Sequence, residues 1–115
     1  MPDHKRERLV EAYLVKSLKD IGGKCYKFRA IDNKGVPDRV CMVPWLGMFF
    51  VEVKTLRGRV SAIQEHVMNE IKQHGGLSFI VYGTEGADKL IEYLLLTKHQ
   101  VDALNSQQDL PEPLP

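Results

Sequence analysis

Gly47-Met48-Phe49-Phe50-Val51 is an unbroken apolar run, and it closes on Glu52-Val53-Lys54. A run this apolar belongs in a central strand covered on both faces. A buried strand tolerates charges at its end only when they are paired or hold a metal, because desolvating them is otherwise costly. Side chains alternate along a strand, so Glu52 and Lys54 share a face. Upstream, Arg39 to Val43 reads as a strand stopped by Pro44, and Trp45, Leu46 and Gly47 form the turn. Two strands joined over so few residues pair antiparallel. Asp38, at the start of one, therefore meets Glu52 and Lys54 at the end of the next.

Two carboxylates and an ammonium at one end of a hairpin make a specific kind of chemistry accessible. Hard carboxylate oxygens suit Mg²⁺, and a neighbouring lysine can orient or deprotonate an attacking water. Taken alone, acidic and basic residues alternating at a strand end read as a solvated face. The buried run that precedes them favours a site.

The flanking chain supplies the rest of an α/β domain. Residues 5–21 form an amphipathic helix on Leu9, Val10, Tyr13, Leu14, Leu18 and Ile21, stopped by Gly22-Gly23. Lys24 to Ala30 alternates as a first strand, and Ile31 to Gly35 is loop. Ser61-Ala62-Ile63-Gln64 fits a capping box and starts a second helix through Val67, Met68 and Ile71 to Gly75-Gly76, with His66 and His74 facing solvent. Leu77 to Tyr82 is a short apolar strand. A last helix spans about Ala87 to Leu96, with Thr84 as a reasonable cap. The helical crossover before the fourth strand makes that strand parallel to a neighbour, so the order αβββαβ gives a mixed sheet flanked by helices. From Thr97 the periodicity fails. The expected organisation is a domain over residues 1–97 and a polar, proline-punctuated tail over 98–115 without a fixed fold.

Composition narrows the functional classes. At 115 residues the chain has room for one core. No stretch approaches the roughly 18 consecutive apolar residues of a membrane span, and the N-terminal stretch lacks the apolar segment of a signal peptide. The expected compartment is the cytoplasm, that of the host if the chain is phage-encoded. Cys25 and Cys41 fall in strands and read as small buried hydrophobes, and histidines 4, 66, 74 and 99 have no zinc-type spacing. Residues 1–60 carry thirteen Lys/Arg against seven Asp/Glu, and residues 61–115 carry three against eight. The site half is therefore the basic half, which suits a phosphate-backbone partner. Arg57 and Arg59 sit on a basic loop directly after Lys54, either gripping phosphates or simply solvated. Trp45 is expected to pack its ring on a neighbour or on a partner subunit, with base stacking as the alternative.

Pro37-Asp38 followed by Glu52-X-Lys54 resembles the signature of the PD-(D/E)XK nucleases. Gly35-Val36-Pro37-Asp38-Arg39, the preceding Tyr26-Lys27-Phe28 and the following Ser61-X-X-Gln64 resemble the VRR-NUC branch, over about Arg6 to Tyr93. The resemblance implies a restriction-endonuclease-like αβββαβ core and a Mg²⁺-dependent deoxyribonuclease, with Mn²⁺ able to substitute. It implies metal ligation by Asp38, Glu52 and the Val53 carbonyl, and Lys54 as the residue that positions the water. A first-helix glutamate is implied as a further ligand: Glu11, with Glu7 one turn earlier as the fallback, although composition alone reads Glu11 as a surface residue paired with a lysine. Gln64 is implied to face the site, which its capping role neither requires nor forbids. Lys27 is implied to lie near the pocket, or else on the solvent side of an edge strand.

The candidate DNA contacts are Lys27, Arg29, Arg39, Arg57 and Arg59. The resemblance further points to branched DNA, including four-way junctions, cut by a homodimer whose two sites cleave two strands. Two alternatives are a nuclease subunit that needs a helicase or repair partner, and an inactive nucleic-acid-binding module.

Overall fold

In the computed structural model, which describes residues 3–108, helix α1 (Asp3–Asp20) leads into strands β1 (Lys24–Lys27), β2 (Arg39–Val43) and β3 (Gly47–Lys54). Helix α2 (Ala62–Gln73), strand β4 (Ser78–Tyr82) and helix α3 (Gly83–Gln108) follow. The strands form one sheet in the order β1-β2-β3-β4, with the first two pairings antiparallel and the last parallel. This is the expected mixed α/β sheet, with the apolar run as an interior strand. Phe49, Val51 and Val53 are fully buried on one face of β3, where Leu14, Leu18 and Leu94 from α1 and α3 cover them. Alternation turns Phe50, Glu52 and Lys54 to the opposite face, beside α2.

Register decides which residues meet. Lys27 opposes Arg39, which opposes Val51, and all three side chains lie on the face covered by α1. The β1–β2 ladder adds one more bond, from the Phe28 N–H to the Asp38 carbonyl at 2.7 Å. Beyond it the strand ends, short of the expected Ala30, because the lead into β2 is drawn onto α2. A Cβ on Gly35 would stand 2.5 Å from the Ile63 carbonyl oxygen, so only glycine permits that approach.

Several local expectations are revised. Leu9 and Tyr13 were assigned to the apolar stripe of the first helix but are exposed; Val10, Leu14 and Leu18 make the stripe, and Glu11 shares it. Trp45 packs within its own chain, its indole N–H donating to the Leu94 carbonyl at 2.9 Å. Helix α3 runs on through Gln108, well past Leu96. Trp45 also donates to the Thr97 hydroxyl at 3.2 Å, where the apolar periodicity fades. The remaining residues of the expected tail, 109–115, lie outside the described residues. His66 and His74 are exposed, as expected.

Candidate active site

Four elements converge at the open end of the β2–β3 hairpin. Asp38 enters β2, Glu52 and Lys54 end β3, Glu7 and Glu11 project from one face of α1 a single turn apart, and Gln64 sits in the first turn of α2. Carboxylate oxygens of Glu7, Glu11 and Asp38 all lie within 4.8 Å of one another. Glu7 and Glu11 therefore do not compete for the position; α1 presents both. The spacing of four was the available signal, since residues four apart share a helix face.

Glu52 is engaged on both oxygens. Its Oε2 accepts the Asp38 backbone N–H at 3.3 Å, and its Oε1 accepts the Gln64 side-chain amide at 2.9 Å, with Lys54 Nζ 3.6 Å away. Gln64 simultaneously completes the capping box. Its Oε1 accepts the Ser61 N–H at 3.0 Å, and its own N–H donates to the Ser61 hydroxyl at 3.2 Å. One side chain thus both caps the helix with its carbonyl and holds Glu52 with its amide.

Glu11 Oε1 lies 3.4 Å from an Arg39 guanidinium nitrogen and 3.8 Å from Lys27 Nζ. Arg39 is turned inward, with 13% of its side chain exposed, whereas Lys27 is exposed over two-thirds of its own. Arg29, Arg57 and Arg59 are exposed, and Arg29 lines the same cavity as Asp38. The Val53 side chain is buried on the α1 face, and Val53 pairs with Val81 in the parallel ladder.

The electrostatics are those of a cation site. Lys27 and Arg39 stand against Glu11 and Lys54 against Glu52, while the Glu7, Glu11 and Asp38 carboxylates crowd one another. Burial raises the pKa of Asp38, and the charge of Glu11 raises it further; burial and then Asp38 do the same to Glu52. Glu7 is raised by burial, then by Glu11 and Asp38. Glu11 Oε1 and Asp38 Oδ1 are buried and accept no hydrogen bond among the described residues. Crowded, desolvated oxygens with open lone pairs fit a hard divalent cation such as Mg²⁺.

No family model matches the chain. A solved structure described as a VRR_NUC domain shares the fold with a TM-score of 0.69, at 28% sequence identity, over 76% of this chain and 95% of that one. The phage protein named "Putative nuclease p44", from Acyrthosiphon pisum secondary endosymbiont phage 1, is 43% identical over 49 residues. That match covers 43% of this chain and 53% of the relative, so the chain spans about half the length of the curated relative it matches. With the Pro37-Asp38 and Glu52-X-Lys54 signature gathered at one end of a matching sheet, the fold and the sequence similarity together support a place for the chain beside VRR-NUC domains.

Proposed function

We propose that the chain is a divalent-metal-dependent nuclease that hydrolyses phosphodiester bonds in DNA. The observation that carries this reading is the convergence of Glu7, Glu11 and Asp38 oxygens next to the Glu52–Lys54 pair. Glu7, Glu11 and Asp38 would hold the metal, with Glu52 and the Val53 carbonyl adjacent. Mg²⁺, or Mn²⁺ in its place, would supply Lewis-acid activation of the nucleophile and neutralise charge on the phosphoryl oxygens. Lys54, kept in position by Glu52, orients the attacking water and offsets charge as the water oxygen bonds to phosphorus and the ester oxygen leaves with a proton. Gln64 holds the Glu52 carboxylate in one orientation. Lys27, Arg29, Arg57 and Arg59 bind flanking phosphates, and Arg39 acts mainly on Glu11.

The preferred substrate in this reading is branched DNA, including four-way junctions, and the acting form is a homodimer in the cytoplasm. Two sites are needed to cut two strands, and exposed Leu96 and Leu104 on α3 offer apolar area of the kind a second copy covers. Among the described residues no helix is long and apolar enough to cross a membrane.

The test is Mg²⁺- or Mn²⁺-dependent cleavage of labelled four-way junction, flap and linear duplex DNA, beside Asp38→Ala and Lys54→Ala. Junction cleavage lost in both variants, with a dimer in sedimentation, supports the full reading. A micromolar monomer with no preference for junctions overturns the branched-DNA and dimer parts. Absence of cleavage by folded wild-type protein moves the reading to a nuclease subunit that needs a helicase or repair partner, or to a binding module.

A further inference from the structure

Phe28 is an aromatic side chain placed against the candidate active site with no structural need to be exposed there. It follows β1 directly, and its backbone N–H is fixed on the Asp38 carbonyl. Lys27 and Arg39 are paired and turn toward Glu11, so alternation brings Phe28 out on the opposite face, that of Phe50. The ring packs edge-on against Phe50, with centroids 5.9 Å apart and planes at 65°, yet 38% of the residue stays exposed. One side of the ring is held by the fold, and the rest faces an open cavity of about 550 Å³.

That cavity is lined by Phe28, Arg29, Ile31, Lys34, Val36 and Asp38 among others, so it reaches the candidate metal-binding carboxylate itself. Its volume is that of a small-ligand site. Ile31 is 93% exposed on its rim. Arg29 and Lys34 are exposed and form no ion pair among the described residues. An Asx turn, in which Asn33 Oδ1 accepts the Gly35 N–H at 3.2 Å, shapes the loop that carries them. An aromatic platform with two free cations matches one ligand chemistry closely: a planar base with its backbone phosphates. Trp45, for which base stacking was only the alternative to packing on a neighbour, is committed to Leu94 at the far end of the hairpin.

We propose that Phe28 stacks an unpaired DNA base beside the scissile phosphate, while Arg29 and Lys34 hold the phosphates of that nucleotide. The inference rests on the nuclease reading above and deepens it. A base inside an intact duplex has both faces covered by its neighbours and cannot reach Phe28. A base at a junction, flap or frayed end can. The subsite would therefore select branched or locally unpaired DNA by stacking, without reading sequence.

The experiment measures equilibrium binding of 2-aminopurine-labelled DNA by the full chain carrying Lys54→Ala, so that binding is read without cleavage. One DNA has the fluorescent base unpaired at a branch point, and the other is a fully paired duplex. Phe28→Leu keeps apolar packing on Phe50 but cannot stack, and Phe28→Trp keeps stacking. The expected result is that Phe28→Leu weakens binding of the unpaired substrate roughly tenfold or more and removes the fluorescence quenching, while Phe28→Trp restores both. The paired duplex should lose much less. Replacing Arg29 and Lys34 by Gln should lower the slope of log affinity against log salt by about one for each cation removed.

Wild-type affinity and quenching in Phe28→Leu would overturn the inference, as would an equal loss on paired and unpaired DNA. Unfolding midpoints of each variant identify any that fails to fold, and Phe28→Trp then decides alone through its quenching. Wild-type cleavage of branched DNA without a stacking effect removes this inference only. A wild-type chain that neither binds nor cuts DNA removes the nuclease reading with it.

Discussion

The Gln64 side-chain amide donates to Glu52 Oε1 at 2.9 Å while the same side chain closes the capping box of α2 on Ser61. Helix start and site carboxylate are thereby joined through one residue, and the start of α2 is placed by the chemistry at the end of β3.

The two halves of that residue should separate by mutation. Ser61→Ala removes the cap alone and should cost about 1 kcal/mol of stability, leaving the Glu52 contact and most of the activity. Gln64→Glu keeps an acceptor for the Ser61 N–H but sets a carboxylate against Glu52. It should lower cleavage far more than it lowers the denaturation midpoint. Urea unfolding and single-turnover cleavage measured on the same samples check both.

Glu7 and Glu11 are expected to differ in their effect on stability, though in the proposed function both would hold the metal. Glu11→Gln leaves the inward-turned Arg39 guanidinium without its carboxylate and should destabilise the fold by about 3 kcal/mol. Among the described residues Glu7→Gln breaks no such buried pair, and it relieves repulsion with Glu11 and then Asp38, so its midpoint should hold or rise. Each should weaken Mn²⁺ binding at least tenfold, read by calorimetry.

Metal-free protein should lose stability as pH rises from the ordinary carboxylate range. Glu7, Asp38 and Glu52 are all raised in the fold, by burial first and by a neighbouring carboxylate second, Glu11 for Glu7 and Asp38, and Asp38 for Glu52. The folded state therefore binds more protons than the unfolded chain between the ordinary and the raised values. Stability falls as pH climbs through that interval and is flat below it. Asp38→Asn should flatten the profile and stabilise the metal-free chain by on the order of 1 kcal/mol while abolishing cleavage. Mg²⁺ should restore the wild-type midpoint at neutral pH and leave that of Asp38→Asn nearly unchanged. Thermal unfolding from pH 4 to 8, with and without Mg²⁺, reads all of this.

Gly35→Ala should damage the site from a distance. The new methyl would meet the Ile63 carbonyl at 2.5 Å and Val67 at 2.6 Å, forcing the lead into β2 away from α2. The expected loss is about 1–3 kcal/mol, with a fall in cleavage rate that excess Mg²⁺ does not rescue. Circular dichroism melts beside cleavage at saturating metal check it.

Much of this protein was legible before its fold. The apolar run ending in Glu52 and Lys54 reads as an interior strand, and it is one, with Phe49 and Val51 buried although Met48 at its start is exposed and Phe50 half-buried. The short turn at Trp45 to Gly47 forced the antiparallel pairing that brings Asp38 across, and Ser61 with Gln64 announced a helix start by local hydrogen bonding alone. These are short-range rules, set by alternation, turn length and capping.

What crosses from one element to another was decided only by tertiary packing. A helical spacing of four allowed Glu7 and Glu11 to share a face, but the placement of α1 over β1 and β2 brought both to Asp38 and set Arg39 on Glu11. The same packing fixed Trp45 on Leu94 and left Phe28 partly exposed beside the site. No local pattern encodes these outcomes, since each depends on which residues of a distant element occupy the space opposite.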